Sequence, residues 1–512
     1  MKLKMRSMSR NMIASLICKI IVLFSGLIVQ RHILLSFGST YNGLTSLIGQ
    51  VMAYLVLLEA GLGAASIQAL YEPLADGDWK RVSGIMNATS SSYFKIGLMF
   101  GGLLLGGAFL IPLAAGGEVD YFVAGLLTLV TGAGNVVTYM IGGKNTALLS
   151  ADKKMYVIYE IECVSTLLSS VLRVAALNSG FGIVFVQTIH LAVILIKNVA
   201  LLLYVKKRYP SLDKKAEPSF KSISKRWSVL IHSIAGLVVN HTDILILTFA
   251  ASLKLVSVYN VYNLIFVNIG IVIQTTFSQA MQGEFGQLYY KDKKEFEKMY
   301  TAYETLFSVV LFSVITLTMI LTRPFVAIYT RGITDVTYVD FWLPVLFAVI
   351  LLMNHLRVPA ILAINAKGDF KETQSGAIIE ALINITVSLA LFFFTDLGIY
   401  GLLLGTVCSY LYRSADVIRY VYKNIVSRSI SRYLRLFILN LCGMAGFWYL
   451  FYVRFTVEVN SYFEWIIAAI IQGLAVLIAF AVINFVFNRS DMTMALKKIL
   501  GKLNRKRESG TD

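Results

Sequence analysis

Charge is what this sequence has least of. Asp, Glu, Lys and Arg make up only 15% of its 512 residues, against about 25% in a soluble domain. Hydrophobic residues make up 57%, and the mean hydropathy is +0.71. A chain so apolar cannot cover itself in water, so lipid must be its solvent. Cysteine is scarce as well. Cys18, Cys163, Cys408 and Cys442 all fall inside apolar runs, and none forms a C-x-x-C pair. They read as small core hydrophobes, which argues against disulfides and thiolate metal sites. The five histidines show no H-E-x-x-H or other zinc spacing. No metal and no cofactor is expected. The alternating segments of about 10 residues that mark a membrane β-barrel are missing too. No soluble domain exists to host nucleic acid, so the net charge of +17 needs another reading.

What is present is a series of apolar runs roughly 20–28 residues long, the length of a membrane-spanning helix. The fold class they predict is an all-α polytopic membrane protein with about 14 transmembrane helices. The first run, from Met12 to about Phe37, follows Lys2, Lys4, Arg6 and Arg10. It lacks an A-x-A cleavage site and reads as a retained first span. With this set of spans both termini lie on one side. About 36 Lys and Arg then fall in the termini and even-numbered loops, against about 4 in the opposite loops. The excess marks the basic side as cytoplasmic and accounts for most of the positive charge.

The richest basic loop runs from Lys206 to Arg226 and contains Pro210 and Pro218. It reads as a linker between two lobes. The expected organisation is an N-terminal six-helix lobe (1–210), a basic cytoplasmic linker (211–227) and a C-terminal six-helix lobe (228–425). Two additional transmembrane helices (426–488) and a basic cytoplasmic tail (489–512) follow. The lobes resemble each other. Gly26 to Arg31 parallels Gly236 to His241, Tyr41-Asn42 parallels Tyr259-Asn260, and Leu70-Tyr71 parallels Leu288-Tyr289. Each lobe then has a mixed-charge loop with an aromatic, Asp76 to Arg81 and Lys291 to Phe296. Six spans per lobe preserve orientation, which makes a parallel pseudo-repeat about an axis along the membrane normal.

Polar residues inside the spans point to a site, because charge at membrane depth normally faces a cavity or a partner. Ser15, Lys19, Gly26 and Gln30 stack on one face of span 1, with Arg31 beside them. His232, Gly236, Asn240 and Asp243 share a face of span 7, and Asn268, Thr275, Gln279 and Gln282 roughly align on span 8. Span 2 offers Ser46, Gln50 and Gly61. Such stripes serve either an aqueous cleft between lobes or interhelical hydrogen bonding; four of them in one bundle favour the cleft. Lys95, Arg173, Lys197, Arg357 and Glu380 are further buried candidates, with Glu59, Glu160 and Glu162 nearby. Lys197 and Arg357 are expected either to snorkel or to pair. The excess of cations suggests an anionic ligand, and phosphate or pyrophosphate suits Arg and Lys.

Asn240-His241-Thr242-Asp243 followed by an Ile/Leu run, then Val256-Ser257-Val258-Tyr259-Asn260, resembles the span 7–8 signature of bacterial polysaccharide flippases. These are the Wzx-like members of the multidrug/oligosaccharidyl-lipid/polysaccharide exporter superfamily. The usual Gly of the Gly-x-Tyr turn is replaced here by Ser257. Tyr41 to Leu44, Glu59 to Gly63 and Leu70 to Leu74 also resemble this group. The resemblance implies a non-enzymatic flippase in the bacterial cytoplasmic (inner) membrane. It would move a polyprenyl-pyrophosphate-linked oligosaccharide to the outer leaflet by alternating access, for cell-surface polysaccharide biosynthesis. It implies a sugar in the central cleft, a polyprenyl tail left in membrane lipid and coupling to a proton or sodium. The expected cavity residues are Lys19, Gln30, Arg31, Asn240, His241, Asp243, Asn268 and Gln279. The alternatives are a drug or small-molecule antiporter of the same fold, a membrane glycosyltransferase or polymerase acting on lipid-linked sugars, or a scaffold. An antiporter predicts an acidic, aromatic cavity. The enzymes commonly need large outer loops, and the longest here, near Arg323 to Asp340, has about 15 residues.

Overall fold

A backbone in hydrocarbon has no water to bond, so it must close its own hydrogen bonds, and a helix does so within one segment. The computed structural model describes residues 2–59, 61–213, 215–220, 242–369, 372–456 and 458–497. Among them there is no β-strand. Eleven helices are long and apolar enough to cross a membrane. Three features separate that number from the expected fourteen spans. The 42 residues Ala14–Leu55 carry two expected spans within one kinked helix. Ile399–Asn424 has the length, 26 residues, but carries Arg413, Asp416, Arg419 and Lys423. The expected span over 228–251 lies mostly outside the described residues, which resume as a helix at 242–250. The chain is an all-α, multi-pass membrane protein.

Contacts divide it into two units, Met1–Asn260 with Gly332–Val336, and Val261–Arg331 with Thr337–Asp512. The first holds α1 (Lys2–Leu55), α2 (Leu62–Asp76), α3 (Trp79–Ala114), α4 (Tyr121–Val137), α5 (Gly143–Ala151), α6 (Met155–Asn178) and α7 (Ile183–Arg208). It also holds α8 (242–250) and the start of α9 (Leu253–Lys291). Here α1 packs along α6, α3 on α4, and both α4 and α6 on α7.

The bend in α1 has a local cause. Gly38 takes φ 76° and ψ −176°, a region that costs other residues about 1–3 kcal/mol. A Cβ there would also press on Asp335 Oδ2 at 3.2 Å. The Asp335 carboxylate accepts hydrogen bonds from the Ser39 amide (2.9 Å) and hydroxyl (2.7 Å), capping the helix where it restarts. Further on, Gly43 allows a close approach: a Cβ would stand 1.9 Å from the Leu253 carbonyl oxygen. Beside it, buried Asn42 Nδ2 donates to Ser257 Oγ at 2.7 Å.

The second unit is built around α10 (Lys293–Tyr329), whose membrane-spanning stretch is the most buried of the eleven. It packs on α11 (Leu343–Leu356), α12 (Val358–Lys367), α15 (Ile430–Trp448) and α16 (Tyr462–Phe487). A second layer pairs α13 (Gln374–Phe394) with α14 (Ile399–Asn424). Two charge clusters tie these helices together. Arg432 Nη1 on α15 meets Glu304 Oε2 on α10 at 2.6 Å, and its Nη2 meets Asp491 Oδ2 at 2.7 Å. The Tyr300 and Tyr422 hydroxyls donate to the remaining lone pairs of Glu304, at 3.0 and 2.5 Å. Arg357 pairs with Glu380 at 2.6 Å and lies over the Tyr410 ring. Arg357 is therefore paired.

The two mixed-charge loops noted in the repeat do the same work. Asp78 accepts from the Arg81 amide and caps α3, while Asp292 accepts from the Glu295 amide and caps α10, each at 3.0 Å.

Two predictions follow from these ties. Burial opposes ionisation of Asp335, but the Ser39 hydrogen bonds and Lys254 outweigh it and hold its carboxyl below the usual range. A lowered folded value means the cap contributes fully above the unfolded value of about 4 and is lost as pH falls below it. Asp335→Ala should therefore cost about 1 kcal/mol at neutral pH, less any screening of this exposed group. In thermal unfolding of detergent-solubilised protein, the gap to the wild type should narrow below about pH 4. Glu304→Ala should cost about 3–5 kcal/mol, because it leaves Arg432 buried with half its compensation. A loss under about 1 kcal/mol would mean that the cluster behaves as a surface pair.

Candidate functional site

A cavity of about 430 Å³ in the first unit is lined mainly by α1, α6 and α7. Helical spacing brings its polar groups together. On α6, Glu162, Thr166, Ser169 and Arg173 recur at four, three and four residues and so share a face. On α7, Gln187, His190, Ile194 and Lys197 do the same at three, four and three. From α1 come Gly26 and Gln30 before the Gly38 bend, and Asn42 and Ser46 after it. Asn260 at the start of α9 closes the wall, so both asparagines of the paired Tyr-Asn steps line this one cavity.

Most polar groups in the wall are satisfied. Lys197 Nζ meets Glu162 Oε2 at 2.8 Å, so this lysine is paired as Arg357 is. Ser169 Oγ lies 2.9 Å from His190 Nδ1. Arg173 Nη2 donates to Gln187 Oε1 at 3.1 Å. Two donors are left over. Arg173 Nε and Gln30 Nε2 are buried and meet no acceptor among the described residues. No described carboxylate comes within 4.0 Å of Arg173. Among the described residues the lining thus carries one neutralised ion pair and one guanidinium without a counter-ion. A buried donor without an acceptor is costly, so the wall is built for an acceptor that comes from outside it: water, hydroxyls or an anion.

Gly26, Gln30, Ser46, Glu162, Arg173 and Lys197, all singled out from the sequence, line the cavity. Of the residues expected in a cavity, Gln30 is the one whose described side chain does so. Lys19 and Arg31 are half-buried on α1 and are not part of its lining. Asn240 and His241 lie outside the described residues. Asp243 is buried and accepts from the Tyr259 hydroxyl at 3.1 Å, so the acid and the tyrosine of the signature bond each other. Asn268, in the second unit, donates to the Leu264 carbonyl of its own helix at 2.7 Å. Gln279 lies on α9, and its side chain is outside the described ones. His190 and Gln187 escaped sequence reasoning, although the stripe rule applied to α7 picks out both.

No protein-family profile matches the chain, and no curated protein matches it in sequence. Solved structures do match. A multidrug resistance MATE family transporter of the MOP superfamily, in an inward-facing conformation, superposes with a TM-score of 0.66 at 16% identity. That match covers 79% of this chain and 94% of the transporter. The lipid II flippase MurJ, in an inward closed conformation, superposes with a TM-score of 0.67 at 14% identity, over 93% of this chain and 98% of the flippase. A MATE protein in a bent conformation follows at 0.58 and 15%, over 85% and 97%. At such identities the likeness is one of fold: this chain has the polytopic helical fold that MATE transporters and MurJ share.

Proposed function

We propose that this protein is a flippase that carries a polyprenyl-pyrophosphate-linked oligosaccharide across a bacterial cytoplasmic membrane by alternating access. The observation that carries the reading is Arg173, a guanidinium in a cavity within the helical spans with no described carboxylate within 4.0 Å of it. A charge in that position is costly unless a ligand answers it, and the fork of Arg suits a phosphate oxygen pair. The hydroxyls and amides around it, from Ser165, Ser169, Gln30 and Asn42, are the kind of groups that bond sugar hydroxyls. The one acid of the described lining, Glu162, is engaged by Lys197, which supports an anionic substrate over a cationic drug. The match to the lipid II flippase spans 93% of this chain and that to the inward-facing MATE transporter 79%, which also favours a lipid-linked cargo. With the basic loops cytoplasmic, both termini are cytoplasmic and the cargo moves outward.

The test is transport of a labelled polyprenyl-pyrophosphate-linked oligosaccharide by the purified full chain in liposomes. Arg173→Ala should lower the rate at least tenfold with protein abundance unchanged. Arg173→Lys keeps the charge but loses the fork, and should fall between the two. The Lys19→Ala/Arg31→Ala double variant measures whether the span 1 cations share in holding the charge. Wild-type rates in both Arg173 variants would remove Arg173 from the site. Uptake of a cationic dye in place of the lipid-linked sugar would establish the antiporter instead. Orientation has its own test: a cysteine introduced at Lys214 should resist a membrane-impermeant thiol reagent in intact cells.

A further inference from the structure

Cations on the membrane face opposite the basic loops are few, since the positive-inside bias selects against them. Arg323, Arg331 and Arg454 are three of them, and they converge on one corner of the second unit. There α10 ends, Val339 approaches, and a π-helix (Tyr449–Arg454) ends α15. Between these elements lies a cavity of about 370 Å³ whose lining includes Arg323, Arg331, Tyr452 and Thr456. The arginines are poorly satisfied by the protein. Arg331 Nη1 donates to the Asn460 carbonyl oxygen at 3.1 Å. The Arg323 guanidinium lies 5.7 Å from the Phe341 ring, and no hydrogen bond joins it to a described residue. Glu458 also lines the cavity, but among the described residues it forms no ion pair with either arginine.

A second observation gives the depth. Aromatic side chains with polar tips ring the corner. Trp465 Nε1 donates to the Leu321 carbonyl at 3.0 Å, and Trp342, Tyr449 and Tyr462 are exposed. Such a belt sits at the headgroup level of a bilayer. The cavity also has an apolar side, from Ile320, Ala327, Val339 and Phe451, and the neighbouring surface exposes Val453, Phe455 and Phe463. Forked cations, an interfacial belt and an apolar flank together match an amphiphile with an anionic phosphate head. We propose that this corner binds the phosphate group of a membrane lipid, held by Arg323 and Arg331, with the hydrocarbon chain along the exposed face of α15. This site lies entirely within the second unit, is separate from the Arg173 cavity and does not rest on the transport reading.

The test is retention of phosphatidylglycerol by the purified full chain, titrated in phosphatidylcholine nanodiscs and counted by native mass spectrometry after release into detergent. The wild type should retain the lipid saturably. Arg323→Ala/Arg331→Ala should weaken retention at least tenfold, and Lys254→Ala, at another cation of the same face, should not change it. Arg323→Lys should lie between. Should the double variant fail to fold, Thr456→Asp places a negative charge on the exposed rim and should weaken retention in the same way. Displacement by millimolar inorganic pyrophosphate would show that the free anion occupies the same phosphate site. Indifference to pyrophosphate, with loss in the double variant, would assign it to the lipid. Wild-type retention in the folded double variant, or in Thr456→Asp when that substitutes for it, would overturn the proposal.

Discussion

The constraint on which this structure depends is that a polar group in hydrocarbon must find its partner within the protein. The backbone answers with helices. The side chains answer with local bonds: on α10, the hydroxyls of Thr305, Ser308, Ser313 and Thr322 all donate to carbonyls four residues back. Charges answer in clusters, Glu304 with Arg432 and Asp491, Glu380 with Arg357, and Glu162 with Lys197. In each pair the partners come from segments far apart in sequence, so each pair also fixes which segments are neighbours. Satisfied clusters of this kind contribute specificity more than stability, since removing charges from water offsets most of the attraction.

That background makes the exceptions informative. In a protein where Lys197 and Arg357 are paired, Arg173 Nε and Gln30 Nε2 stand out as donors without acceptors among the described residues. Arg323, at an aromatic interface, likewise has no hydrogen bond to a described residue. Both sites combine a forked cation with groups suited to the rest of a ligand. Hydroxyls and amides surround Arg173, and apolar side chains flank Arg323. The same inventory of interactions thus separates what holds the fold from what is open to a ligand.

The described signature residues also hold the first unit together. Asn42 bonds Ser257, Gly43 admits the Leu253 carbonyl, and Tyr259 bonds Asp243. The two stretches that carry the family resemblance therefore meet each other within the first unit. Ser257 in place of the usual Gly has a physical account, because its hydroxyl accepts from Asn42. Asp243 is engaged with a tyrosine, a partner that spacing along span 7 gave no means of naming.

The sequence by itself determined that the chain is helical and that it spans a membrane many times. Those properties follow from composition and run length, which belong to single segments. The two mixed-charge loops were legible as loops, but not the caps that Asp78 and Asp292 supply there. Periodicity also placed Gln30 on the same face as Gly26, and both line the cavity. What only the tertiary structure decided is which face of which helix meets which other. Lys19 shares Gln30's stripe, yet the lining does not include it, and Arg31, one residue on, is also outside it. Arg173 was legible as a charge inside a span but not in company with its neighbours, and His190 was not singled out. They become a site because α6 and α7 pack so that their stripes turn toward α1. A helical period fixes a direction around one axis. The partner in that direction is set by packing between segments far apart in sequence, and no local pattern encodes it.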